Sequence, residues 1–122
     1  MTERTYTLAE ANAELDELRE RLPRLREARQ GLIGASERIS AKVAADGGGT
    51  EGGDYFEFER ALRDEVTWLA DRAILLRDPE TGLIDFLGER EGRQVYLCWR
   101  LGEDAVGFWH ELTTGFAGRK PL

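Results

Sequence analysis

Any chemistry in this chain must come from a short list of side chains. Cys98 and His110 are its only cysteine and only histidine. A thiol with an imidazole is the composition of a nucleophile–base pair, which requires both groups on one face within hydrogen-bond reach. An imidazole with carboxylates, here Asp85 and Glu111, is the composition of a metal site. His110-Glu111 by itself is not a zinc motif, because zincins need His-Glu-x-x-His on a helix. Tyr96, Trp99, Arg100, Trp109 and Arg119 lie in the same C-terminal third and complete the set of candidates. Which of them meet depends on the faces that the backbone gives them.

The N-terminal elements are helical. Thr7-Leu-Ala-Glu10 has the spacing of a capping box. Alternating steps of three and four then give Leu8, Ala11, Leu15, Leu18, Leu22, Leu25, Arg29, Leu32, Ser36, Ile39 and Val43, of which nine of eleven are apolar. A period of 3.5 is that of a coiled-coil seam. Pro23 costs ~3 kcal/mol in a helix interior, and Gly31 and Gly34 cost ~1 kcal/mol each. The phase survives all three, which predicts one kinked helix over 7–45. The five glycines of 46–53 read as a flexible connection, since no strand precedes them and the Gly-x4-Gly-Lys-Ser/Thr pattern of a phosphate loop is absent. Asp54 is placed as the cap of a second helix over 54–77, which ends where Asp78-Pro79 disfavours α conformation. In the alternative, Ile74–Arg77 opens a sheet and 78–82 is a turn.

The period then changes to two. A turn at Glu91-Gly92 sets Ile84 opposite Trp99 and Phe86 opposite Leu97. A four-residue loop over 102–105 sets Leu101 opposite Val106, Trp99 opposite Phe108 and Leu97 opposite His110. Both registers place Ile84, Phe86, Val95, Leu97, Trp99, Leu101, Val106, Phe108 and Leu112 on one face, predicting a three-stranded antiparallel meander over 83–112. Residues 113–122 form a tail. Asp85, Leu87, Tyr96, Cys98, Arg100, Trp109 and Glu111 fall on the other face. Such a face needs a cover, either the tail folding back with Phe116 or another protein surface. In this register His110 is a hydrogen-bonded core residue. Asp85, Cys98 and Glu111 lie across the sheet from it, so neither the thiol–imidazole pair nor the metal site can form.

Composition narrows the rest. A chain of 122 residues suits one domain with its own core. No apolar run approaches the ~20 residues of a membrane span. The opening Met-Thr-Glu-Arg lacks the apolar stretch of a secretory signal, and an unpaired cysteine suits a reducing compartment; a cytoplasmic location is expected. The net charge is −7, residues 8–45 balance seven acidic against seven basic side chains, and the one basic cluster is Arg119-Lys120. Phosphate backbones require concentrated positive charge, so nucleic acid is not expected as a partner, nor is a membrane.

The blocks Asp78-Pro-Glu-Thr-Gly-Leu-Ile-Asp-Phe86, Val95-Tyr-Leu-Cys-Trp-Arg-Leu-Gly-Glu103, Gly107-Phe-Trp-His-Glu111 and Gly115-Phe-Ala-Gly-Arg119 resemble the family called domain of unknown function 2203. The opening Tyr6-Thr-Leu-Ala-Glu-Ala-Asn12 is similar to the start of that family, so the resemblance spans nearly the whole chain. It implies a small bacterial protein and brings no catalytic residues with it.

These readings combine into one α+β domain, a long antiparallel, coiled-coil-like helical hairpin followed by the meander. The function expected first is a protein-interaction or scaffold module that self-associates through its helices. The alternative is a small ligand- or metal-binding protein, with an enzyme as one form of it, whose site lies near His110. The candidate ligand or partner site comprises Asp85, Tyr96, Cys98, Trp99, Arg100, Trp109, His110, Glu111 and Arg119. No catalytic residue, metal-ligand set or cofactor is assigned. A homodimer is expected from length. Thirty-eight helical residues make a rod of about 57 Å and twenty-four about 36 Å, which leaves Leu8, Leu15, Leu18 and Leu22 without a cover unless the sheet folds over them.

Overall fold

The computed structural model describes residues 4–46 and 53–122. The chain runs α1 (Leu8–Ala13), α2 (Leu15–Asp46), α3 (Gly53–Asp71), β1 (Ile74–Asp78), β2 (Leu83–Arg90), β3 (Arg93–Arg100), β4 (Phe108–His110), a 3-10 turn (Phe116–Gly118) and β5 (Lys120–Pro121). The fold is α+β, and its antiparallel sheet has five strands in sequential order rather than three. The glycine-rich connection placed at 46–53 lies, but for its two end residues, outside the described residues. No helix among the described residues is long and apolar enough to cross a membrane.

The capping box forms as the spacing predicts. Glu10 N–H donates to Thr7 Oγ1 at 3.1 Å, and Thr7 N–H donates to Glu10 Oε1 at 2.8 Å. The helical break falls at Glu14 rather than at Pro23, through which α2 continues. α3 begins at Gly53, so Asp54 sits in its first turn and pairs with Arg38 at 2.5 Å instead of capping. It also ends earlier than expected. Ala73 turns into the left-handed region at φ 56°, and Ile74 then enters the sheet opposite Phe86. The alternative with a strand at 74–77 is therefore the observed one. Burial decides it, because Ile74 is 3% exposed within the core.

The β2–β3 register agrees with expectation at every pair from Leu83–Arg100 to Arg90–Arg93. Glu91 and Gly92 both take positive φ, 54° and 80°, the backbone of a type I′ turn that matches the right-handed twist of its strands. One face of this sheet packs on the helices. Leu15, Leu18, Leu22 and Leu25 are each 2% exposed or less and form one core with Ile84, Phe86, Val95, Leu97, Trp99 and Trp109. The sheet thus covers Leu15, Leu18 and Leu22 within one chain and removes them from the length argument for a homodimer, while Leu8 stays 43% exposed.

Beyond Leu25 the buried positions of α2 are Ala28 and Ala35. Small residues let α3 approach closely. The side chains meet in reverse order along the two helices, Arg21 with Glu65 and Arg38 with Asp54. Gly31 serves the same approach, because a Cβ there would overlap the Phe58 ring. Gly31→Ala, which gains about 1 kcal/mol in an open helix, is expected to lower the urea midpoint here. The loss should disappear in a Phe58→Ala background. A raised midpoint in the single variant would mean that Phe58 yields without cost.

Candidate functional site

The third sheet register differs from expectation by one residue. Tyr96 pairs with His110, Leu97 with Trp109 and Cys98 with Phe108. Because side chains alternate, a one-residue slip exchanges the faces of the whole strand. Trp109 enters the core at 7% exposure, Phe108 leaves it, and His110 comes to the face that holds Asp85 and Cys98. Trp99 and Phe108 are therefore not core neighbours, and Leu112 is exposed. The cause lies in the connection. Residues 101–107 do not close as a tight hairpin; Val106 N–H donates to Asn12 Oδ1 on α1 at 2.8 Å, and the Trp99 indole N–H donates to the Glu103 carbonyl at 3.1 Å. These contacts with distant and loop residues fix where β4 begins.

The tail covers the part of this outer face around Cys98, Arg100 and Phe108. β5 pairs with β4, and Leu122 N–H donates to the Gly107 carbonyl. The Arg119 guanidinium lies 3.9 Å from the Phe108 ring centre and 4.4 Å from that of Phe116. Its charge is balanced by Glu103 at 2.6 Å. Burial pushes the Glu103 carboxyl upward, but bonds from Arg119 and the Arg100 N–H outweigh this and leave its pKa lowered.

Between tail and sheet lies a cleft of about 310 Å³, lined by Arg77, Leu83, Asp85, Cys98, His110 and residues 112–116. Asp85, Cys98 and His110 are 1%, 1% and 3% exposed, and their ligand atoms lie within 4.8 Å of one another. They come from three adjacent strands, β2, β3 and β4. His110 Nε2 sits 3.0 Å from both Asp85 oxygens, and Arg77 Nε donates to Asp85 Oδ2 at 2.8 Å. Nδ1 lies 2.8 Å from the Glu111 carbonyl oxygen, which can only accept, so Nδ1 carries a proton. That carbonyl also accepts from Thr114 N–H and Oγ1, each at 3.3 Å, so the turn after β4 fixes the ring. The Tyr96 ring lies beside the imidazole at 5.4 Å and beneath the Arg77 guanidinium at 4.9 Å.

The reason given for excluding a metal site, that Asp85 and His110 occupy opposite faces, does not hold. The same slip removes the reason given against a Cys98–His110 nucleophile pair, since the two side chains share one face. Both ring nitrogens already have oxygen partners, and burial, followed by the charge of Asp85, pushes the Cys98 thiol up to about 11. A thiol in that state is a poor nucleophile.

The remaining candidates divide between the faces. Trp99 and Trp109 belong to the core. Arg100 lies over Phe116 at 5.1 Å. Glu111 gives its carbonyl to His110 and turns its carboxylate to Arg93. Arg119 Nη1 lies 3.7 Å from Cys98 Sγ. Arg77 and the Thr113-Thr114-Gly115 turn are site residues that sequence reasoning missed. The available signal for Arg77 was the alternative strand at 74–77, whose alternation places Arg77 on the same face as Asp85.

A family model described as "Uncharacterized conserved protein (DUF2203)" matches residues 4–122. No curated protein and no solved structure matches the chain.

Proposed function

Because the chain belongs to the DUF2203 family over residues 4–122, whose description carries no activity, we propose a function from its own geometry: it binds a small anionic molecule in the cleft on the outer face of the sheet. One observation carries this reading, the convergence of Arg77, Asp85 and His110 on the floor of an open cleft of about 310 Å³. Ligand sites combine an apolar wall with a few fixed polar groups. Here Leu83, Leu112 and Phe116 form the wall. The Arg77 side chain, 41% exposed, offers its outer guanidinium edge to an anion. Binding rather than turnover is the function inferred, since the thiol and imidazole are not arranged for nucleophilic attack.

The test is amide chemical-shift mapping with a panel of small carboxylates and phosphates. Shifts should centre on Thr113, Thr114 and Gly115. Arg77→Gln should weaken the response about 10–100-fold, the value of a hydrogen bond to a charged group. No shifts, or shifts confined to α2 and α3, would overturn the reading. A reducing, cytoplasmic setting is part of the proposal and accords with the free, buried Cys98 thiol.

A second reading keeps self-association. Phe56 is 62% exposed, Val43 50% and Ile33 42%, all on the parts of α2 and α3 away from the leucine core. In this reading the two helices act as a coiled-coil-like hairpin whose distal end forms a homodimer contact. Sedimentation equilibrium should then show a dimer that Phe56→Ser disperses, and a monomer at all concentrations would reject it.

A further inference from the structure

We propose that Asp85, Cys98 and His110 form a site for one divalent transition-metal ion of the zinc class, with its fourth coordination position open to the cleft. This rests on the reading that the cleft is the functional site and names what its floor holds. The donor set is one carboxylate oxygen, one sulfur and one imidazole nitrogen, which suits borderline-soft ions and not calcium or magnesium, whose ligands are oxygens. Three protein ligands with an open position is the pattern of zinc sites that bind or transform a ligand. Tetrahedral coordination at the usual bond lengths separates ligand atoms by about 3.3–3.8 Å. The present atoms lie within 4.8 Å on three hydrogen-bonded strands, so small side-chain rotations close the set.

The surroundings of each donor supply the second argument. A metal-ligating histidine holds its other nitrogen on a carbonyl or carboxylate, which fixes the tautomer. His110 Nδ1 does so with the Glu111 carbonyl at 2.8 Å, which aims Nε2 at Asp85 and Cys98. Arg77 holds Asp85 Oδ2, leaving Oδ1 to turn to the ion. Arg119 Nη1 points at the Cys98 sulfur, where it supports a thiolate. On binding, the Cys98 thiol proton and the proton shared between His110 Nε2 and Asp85 pass to water, and the thiolate and carboxylate balance the charge of the ion. An Asp–His pair kept only for stability would not require a thiol beside it or a cleft above it.

The test uses the untagged protein, stripped with a chelator and titrated with Co²⁺. One equivalent should bind, with the intense visible bands of tetrahedral cobalt and a near-ultraviolet thiolate-to-cobalt band. One equivalent of Zn²⁺ should erase both. Cys98→Ser should remove the near-ultraviolet band while the circular dichroism stays native, and His110→Gln should abolish stoichiometric binding. Wild-type protein that is folded but binds no Co²⁺ overturns the proposal, as does one-equivalent binding by the wild type that shows no thiolate-to-cobalt band. Anion-induced shifts at residues 113–115 in metal-free protein, together with no cobalt bands, would refute the metal and leave the cleft reading intact. Absence of both would refute both.

Discussion

Asp85→Ala should destabilise the protein by about 3–5 kcal/mol, the cost of removing one partner from a buried ion pair. Asp85 is 1% exposed and accepts from His110 on one side and Arg77 on the other. Its loss leaves the buried imidazole without its carboxylate acceptor. Arg77 suffers less, because its side chain is 41% exposed and can turn to water. For a domain of this size the melting temperature should fall by roughly 10–25 °C. Asp85→Val with His110→Leu should recover most of the loss, since an apolar pair of similar volume is often as stable as a buried polar one. A double variant much less destabilised than the sum of its singles measures that coupling. The same comparison bears on function: if an apolar pair serves stability equally well, the carboxylate and imidazole are there for what enters the cleft. A loss below about 1 kcal/mol for Asp85→Ala would mean that water reaches the pair, and the site would then be a solvated surface.

Trp99→Ala should cost a similar 3–5 kcal/mol, for a different reason. Trp99 is fully buried on the core face of β3, opposite Ile84. Truncation removes its apolar area and leaves a cavity that the surroundings fill only in part. Trp99→Phe separates the two contributions. It keeps most of the packing but leaves the Glu103 carbonyl without the indole donor now 3.1 Å away, at a cost of about 1–3 kcal/mol if that oxygen stays dry. Urea unfolding followed by circular dichroism measures both. Since Trp99 directly follows Cys98, loosening it should also broaden the amide signals of β3 at the cleft floor. A Trp99→Ala loss below 2 kcal/mol would show that β3 is held by its neighbours rather than by this side chain.

The helix start, the β2–β3 hairpin and the leucine row were legible in the sequence because each is specified by neighbours along the chain. Thr7 and Glu10 lie three residues apart, and Glu91-Gly92 needs only two residues with positive φ. The row from Leu15 to Leu25 needs only a period. The outer-face pairing of Asp85 with Cys98 was legible for the same reason, as it follows from that hairpin. The cover of the leucine row was not legible, since periodicity identifies an apolar face without saying what packs on it. Nor was the end of α3, which the Asp78-Pro79 signal placed at residue 77 although burial of Ile74 against Phe86 draws the chain into a strand. The candidate site depended on the least local feature of all. The register of β4 is fixed by Asn12, more than ninety residues away in sequence, holding the Val106 N–H, and by the core's demand for Trp109 rather than Phe108. One residue of register separates a histidine facing Leu97 from a histidine facing Asp85 and Cys98. The sequence by itself determined which side chains could do chemistry; only the tertiary structure brought them together, because strand pairing beyond a tight turn is decided by distant contacts.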